Sequence, residues 1–101
     1  MDRFFAIVNP AAGGGRSAKL AGPAMARLRE KGMQVDVIAS TEQGHAVQLA
    51  REAYEQGYRR FLAVGGDGTA HEILNGVFAG RKAGERIRRR QRREKIGRAH
   101  V

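Results

Sequence analysis

Three short apolar runs, each cut off by a turn-forming or glycine-rich segment and each followed by residues at helical spacing, constrain this chain more than any other feature. Arg3-Phe4-Phe5-Ala6-Ile7-Val8 stops at Asn9-Pro10. Val35, Val37 and Ile38 lead to Ala39-Ser40-Thr41, and Arg60-Phe61-Leu62-Ala63-Val64 runs into Gly65-Gly66-Asp67-Gly68-Thr69. Runs this short, apolar throughout rather than alternating, suit strands buried on both faces. After the second run, Ala46, Leu49, Ala50 and Ala53 form an amphipathic helical stripe closed by Gly57. After the third, Ala70, Ile73, Leu74, Val77 and Phe78 repeat the pattern. Leu20, Ala24 and Leu28, ahead of Lys31-Gly32, mark the first helix. Its regular part is expected to begin near Gly22-Pro23, because proline suits a first turn, with residues 17–21 forming a looser approach. The order is β-α-β-α-β-α. Strands joined by single helices need right-handed crossovers, so the expected fold class is α/β, an open parallel sheet with its ligand-facing loops at the carboxyl ends of the strands.

Length sets the scale: 101 residues with 42% apolar content make one small domain or part of one. Without cysteine, disulfide scaffolds and thiolate zinc sites are excluded. No apolar stretch approaches the roughly 18 residues of a membrane span. The net charge of +9 is uneven. Residues 1–80 hold nine basic and eight acidic side chains, whereas residues 81–101 hold ten and two. The chain reads as a near-neutral domain, 1–80, followed by a basic tail, 81–101.

Both glycine loops follow a strand and open toward a helix, the setting in which backbone N–H groups and a helix N-terminus meet an anion. Gly13 to Gly15 would let a nucleotide approach the backbone, with Arg16 adding charge at its edge; a plain flexible connection explains them equally well. In the second loop, Asp67 sits between glycines, where a carboxylate can reach magnesium, its waters or a reacting hydroxyl. Thr69 and Glu72 have capping-box spacing and so have a structural explanation. Gly65, Gly66 and Gly68 are open to another, a need for positive φ. His45, His71 and His100 lack the partners of a metal site. There is no Gly-x-Ser-x-Gly elbow and no Walker lysine, and the nearest approach to Gly-x-Gly-x-x-Gly fails because residue 71 is histidine.

Taken in order, Asn9-Pro10-Ala11-Ala12-Gly13-Gly14-Gly15, then Thr41 with His45-Ala46, then Gly65-Gly66-Asp67-Gly68-Thr69-Ala70-His71-Glu72-Ile73-Leu74-Asn75-Gly76 resemble the diacylglycerol kinase catalytic-domain family, which includes bacterial lipid kinases and sphingosine kinases. The resemblance spans residues 3 to about 80. It implies ATP-dependent, Mg2+-assisted transfer of a γ-phosphoryl group to a lipid hydroxyl. The implied fold has two domains, the first similar to those of phosphofructokinases and NAD kinases. Carried over residue by residue, Asn9, Pro10, Ala11, Ala12 and Gly13 would line the nucleotide and Thr41 would touch it from the second strand's end. Gly66, Asp67, Gly68, Thr69, Ala70, His71 and Glu72 would carry its phosphates. Asp67 is the candidate catalytic residue, serving magnesium through water or the acceptor hydroxyl. His71 replaces the asparagine of many bacterial members and is similar to the sphingosine-kinase pattern. The family's Pro-x-Gly-Thr-x-Asn-Asp loop and mainly β second domain are missing after Asn75-Gly76, so the expectation is an inactive nucleotide-binding fragment.

The tail invites a different function. Residues 86–95 could lie on nucleic acid or an anionic membrane, yet they lack both an apolar face and interleaved aromatics. Ile96-Gly97-Arg98-Ala99-His100-Val101 matches one translated frame of a widely used sequencing adapter, so part of the tail is expected to be non-native. The leading reading is a cytoplasmic lipid kinase touching the membrane peripherally, its partners ATP and a lipid, with homo-oligomerisation open and nucleic acid not expected. The alternatives are an NAD kinase-like enzyme and a non-enzymatic basic module.

Overall fold

A computed structural model describes the backbone of residues 3–99 and the side chains of residues 3–88. The elements are β1 (Phe4–Val8), α1 (Arg16–Glu30), β2 (Val35–Ala39), α2 (His45–Gln56), β3 (Arg60–Val64) and α3 (Asp67–Ala99). The strands form one parallel sheet in the order β2-β1-β3. Alternation along β1 sends Ala6 to one face and Ile7 to the other. Ala6, Met25 of α1 and Val35 pack with Phe4, Leu28, Leu62 and Val64. On the other face Ile7 packs with Ala46, Leu49 and Ala50 of α2 and Ile73 of α3, supported by Phe5, Phe61 and Val77. The chain steps from β1 out to β2, then back across β1 to β3. Crossovers of one hand therefore place α1 and α2 on opposite faces.

This reversal produces a switch point between β1 and β3, where the following loops diverge to opposite sides of the sheet. Register aligns them. Val8 pairs with both Ala39 and Val64, so all three strands end level and their loops emerge at one edge.

The opposite edge is closed by side chains. Arg3 makes a two-pronged contact with Asp36, Nε to Oδ2 at 2.8 Å and Nη2 to Oδ1 at 2.6 Å, and the Tyr58 hydroxyl donates to the same carboxylate. Tyr58 also stands edge-on to Phe5, with ring centroids 5.0 Å apart. The Arg3 and Tyr58 donors hold the Asp36 carboxyl down at about 2.

Two expectations need correction. The first helix starts at Arg16, not near Pro23, because three successive left-handed glycines, Gly13 to Gly15, complete the turn before it. Pro23 lies inside this helix on an exposed turn, where water can satisfy the Lys19 carbonyl that loses its N–H partner. The buried face of α3 is also rotated from the expected stripe. Ile73, Gly76 and Gly80 are buried, whereas Ala70 is exposed and Leu74 and Phe78 are 67% and 57% exposed. Close approach to α2 is the cause. A Cβ on Gly76 would press on the Val47 carbonyl and come within 2.8 Å of Ala50 Cβ, and one on Gly80 would lie 3.0 Å from the Tyr54 ring. Small residues let the helices meet, and glycines leave no mark on an apolar pattern. The helix continues without a break from Asp67 through Ala99, taking in most of the basic segment. Of the adapter-like stretch, His100 and Val101 lie outside the described residues.

Candidate functional site

The level carboxyl ends of the strands border a cleft of about 910 Å3. Three segments form its walls: Asn9 to Ala12 after β1, Ala39 to Gly44 at and after β2, and Gly66, Gly68, Thr69, His71 and Glu72 at the start of α3. Backbone bonds lock the first two segments to their neighbours. The Asn9 N–H donates to the Val64 carbonyl at 2.8 Å, and the Ser40 N–H donates to that of Val8 at 2.8 Å. Asn9 shapes its own turn, its Oδ1 accepting the Ala11 N–H at 3.2 Å while its carbonyl accepts that of Ala12. Behind the second wall segment, Thr41 donates its N–H to His45 Nδ1 at 3.0 Å, with the Thr41 hydroxyl 3.1 Å from the same nitrogen.

The glycines of the second loop differ in their reasons for being glycine. None of Gly65, Gly66 and Gly68 has a positive φ, which corrects the conformational explanation. Gly65 is required by packing. A Cβ there would collide with Thr69 Oγ1 and lie 3.2 Å from Asn9 Cβ, so the loop after β1, the end of β3 and the first turn of α3 meet at this point. Thr69 is 3% exposed beneath them. At Gly66 and Gly68, by contrast, a Cβ would have no neighbour within 4 Å. Both line the cleft, and a side chain there would take space from whatever occupies it.

The capping-box explanation of Thr69 and Glu72 also fails. Helix α3 already begins at Asp67, and the Thr69 N–H donates to the Gly66 carbonyl at 3.1 Å. Glu72 Oε1 is buried without a hydrogen-bond partner among the described residues. An orphaned carboxylate oxygen in a cleft wall is costly unless something else satisfies it.

Of the residues singled out in the sequence, the cleft brings together Asn9, Pro10, Ala11, Ala12, Thr41, Gly66, Gly68, Thr69, His71 and Glu72. Gly13, Asp67 and Ala70 are not in its lining; Asp67 is exposed in the first turn of α3. Ala39, Ser40, Glu42, Gln43 and Gly44 line it unforeseen. Ala39 ends the second strand and the others follow it without a chemical signature; only Glu42, Gln43 and Gly44 fall within the interval between Thr41 and His45. Among the described residues, no Lys or Arg lines this cleft. Among the described residues no three acidic, histidine or cysteine side chains gather as a metal cage.

Residues 3–96 match the profile of the diacylglycerol kinase catalytic domain. The chain belongs to that family. It is similar to the Chromohalobacter salexigens protein named "Probable lipid kinase YegS-like", 46% identical over 66 residues that cover 63% of this chain and 21% of that one. Sphingoid long chain base kinase 5 of Saccharomyces cerevisiae is 33% identical over 79 residues, covering 74% of this chain and 11% of the relative. Among solved structures, "A putative diacylglycerol kinase from Bacillus anthracis str. Sterne" superposes with a TM-score of 0.58 at 29% identity, covering 74% of this chain and 27% of that chain. This lipid kinase family membership agrees with the three ordered motifs. The chain spans about a fifth or less of the length of the two relatives and about a quarter of the solved structure.

Proposed function

We propose that the cleft binds ATP with Mg2+, as the nucleotide half of a lipid kinase that transfers the γ-phosphoryl group to a lipid hydroxyl. The observation that carries this reading is the pair Gly66 and Gly68. Neither backbone conformation nor packing requires glycine at these positions, while both border the cleft at a helix N-terminus. Such a terminus offers amide donors and a favourable dipole to phosphate, and removing side chains lets the phosphate reach them. The cleft lies within the range of small-molecule sites.

Its electrostatics argue for the metal. Among the described residues Glu42 and Glu72 line the cleft without a Lys or Arg, and such a lining repels bare triphosphate. Magnesium needs only one or two carboxylates beside phosphate oxygens and its own waters. The unpartnered Glu72 oxygen fits that requirement, and Asp67 stands in the first turn of α3, open to solvent. When bound, Mg2+ would neutralise charge on the transferring phosphoryl group. Asp67 is assigned to the magnesium waters or the acceptor hydroxyl, Thr41 to a nucleotide contact, and Asn9 to Ala12 to the nucleotide's edge. A lipid acceptor places the whole enzyme at a membrane surface, in keeping with the basic run along the distal part of α3. Among the described residues no helix is long and apolar enough to cross a membrane.

The test is an amide NMR titration of the 101-residue chain with ATP, with and without Mg2+. Gly66, Gly68 and Thr41 should shift, and EDTA should weaken binding at least tenfold. Unmoved glycine amides at millimolar MgATP would overturn the nucleotide reading. The isolated chain is expected to bind nucleotide without phosphorylating lipid, which a radiolabelled phosphate transfer assay checks.

A further inference from the structure

The cleft wall formed by Thr41 to Gly44 has no regular structure of its own, yet it must hold its shape. It leaves β2 through Ser40, which is buried and fixed to Val8. It rejoins regular structure at His45, the first residue of α2, across Gly44 at a φ of 87°. Between these anchors His45 supplies two polar cross-ties: its backbone N–H donates to the Glu42 carbonyl at 3.2 Å, and its ring Nδ1 receives the Thr41 N–H at 3.0 Å, while the Gly44 carbonyl accepts the Val47 N–H at 3.2 Å. His45 itself is half-buried and absent from the cleft lining.

An N–H can donate to Nδ1 only if that nitrogen carries no proton. The bond therefore requires the tautomer in which Nδ1 is bare. The nearby Thr41 hydroxyl can donate to the same lone-pair region or stay free for a ligand, so the ring also sets the orientation of that side chain. We infer that His45 is a positioning residue: its Nδ1 acts as a strut behind the wall, presenting Thr41 to the bound nucleotide without touching it. This inference rests on the nucleotide reading above and adds to it a residue that acts only through Thr41.

Asparagine provides the control, since its Oδ1 occupies the place of Nδ1 and accepts the same N–H without titrating. The experiment measures MgATP affinity from amide shifts for the wild-type chain, His45→Ala and His45→Asn, together with long-range 1H–15N spectra of the imidazole. His45→Ala should weaken binding about tenfold and displace the Thr41 amide resonance while shifts of the β1 and β3 amides stay in place. His45→Asn should restore affinity to within about threefold. In the wild type, the His45 ring should show an unprotonated Nδ1. Equal affinity of wild type and His45→Ala would overturn the inference, as would a proton on Nδ1 or a failure of asparagine to rescue. If the wild type binds no MgATP while Nδ1 is bare, the nucleotide reading fails and the Thr41–His45 bond stands as a purely structural tie.

Discussion

The two ends of the sheet use the same three strands in opposite ways. At the amino end, side chains do the joining: Arg3, Asp36 and Tyr58 connect residues far apart in sequence, and Phe5 packs on the tyrosine ring. At the carboxyl end, backbone bonds from Asn9 and Ser40 do the joining, and glycine, alanine and threonine fill many of the surrounding positions. One carboxylate at the first end has two partners, while an oxygen of Glu72 at the second has none among the described residues. Cross-strand polar contacts are thus concentrated where they can hold the fold, leaving the other end open for a ligand. The division predicts that stability and nucleotide binding separate by position.

Gly65 should be the exception, because it lies at the open end yet is required by packing. Gly65→Ala would force its Cβ against the hydroxyl of a buried threonine and against Asn9. Overpacking of this kind costs about 1–3 kcal/mol, and here no flexible side-chain end can yield. Urea unfolding should show a much lower midpoint than wild type, with binding lost as well. An unchanged midpoint would mean that the three loops do not meet as tightly as described.

Gly68→Ala should do the reverse. Alanine is favoured over glycine in a helix by about 1 kcal/mol, and space around this Cβ is open, so the unfolding midpoint should hold or rise. Affinity for MgATP should fall tenfold or more, because the new methyl group lines the cleft. Loss of stability together with binding would erase the distinction between the two ends.

The architecture was legible because its causes are local. The buried stripe Ala46, Leu49, Ala50 and Ala53 of α2 is the one the spacing indicates, and all three strands fall on the apolar runs. Where packing depends on the absence of side chains, the pattern misleads. On α3 the spacing finds Ile73 and Val77 but not Gly76 and Gly80, which carry no hydrophobic signal, and at α1 proline points to a later start than the three glycines whose left-handed backbone closes the turn. At the site, motif spacing indicated two walls and Thr41. The rest of the wall after β2 is backbone following a strand, with no residue type that chemistry would single out. The Arg3–Asp36–Tyr58 cluster joins positions no local pattern connects, so it became visible only once the strands were in register.

That cluster supplies the smallest effect and the sharpest sign. Asp36 titrates at about 2 in the fold against an ordinary 3.8, chiefly because Arg3 and then Tyr58 donate to its ionised form. A depressed carboxyl contributes stability in full above the unfolded value and loses it as pH falls toward the folded one, so the window runs from about pH 4 down to 2. The same contact raises the Tyr58 phenol above its ordinary 10, a contribution retained below that value and lost on the alkaline side. The Arg3 and Asp36 side chains are 42% and 33% exposed, so water screens the pair and its contribution is small. Asp36→Asn should therefore lower the urea midpoint modestly at pH 7 and leave MgATP affinity unchanged, since the cluster lies across the sheet from the cleft. Its deficit relative to wild type should shrink steadily between pH 4 and 2, as the wild-type carboxyl loses its charge. A deficit that stays constant through this window would show that Asp36 acts by shape rather than charge. The amino end would then be held by packing on Phe5 and Tyr58, and the electrostatic half of the contrast between the two ends would fall away.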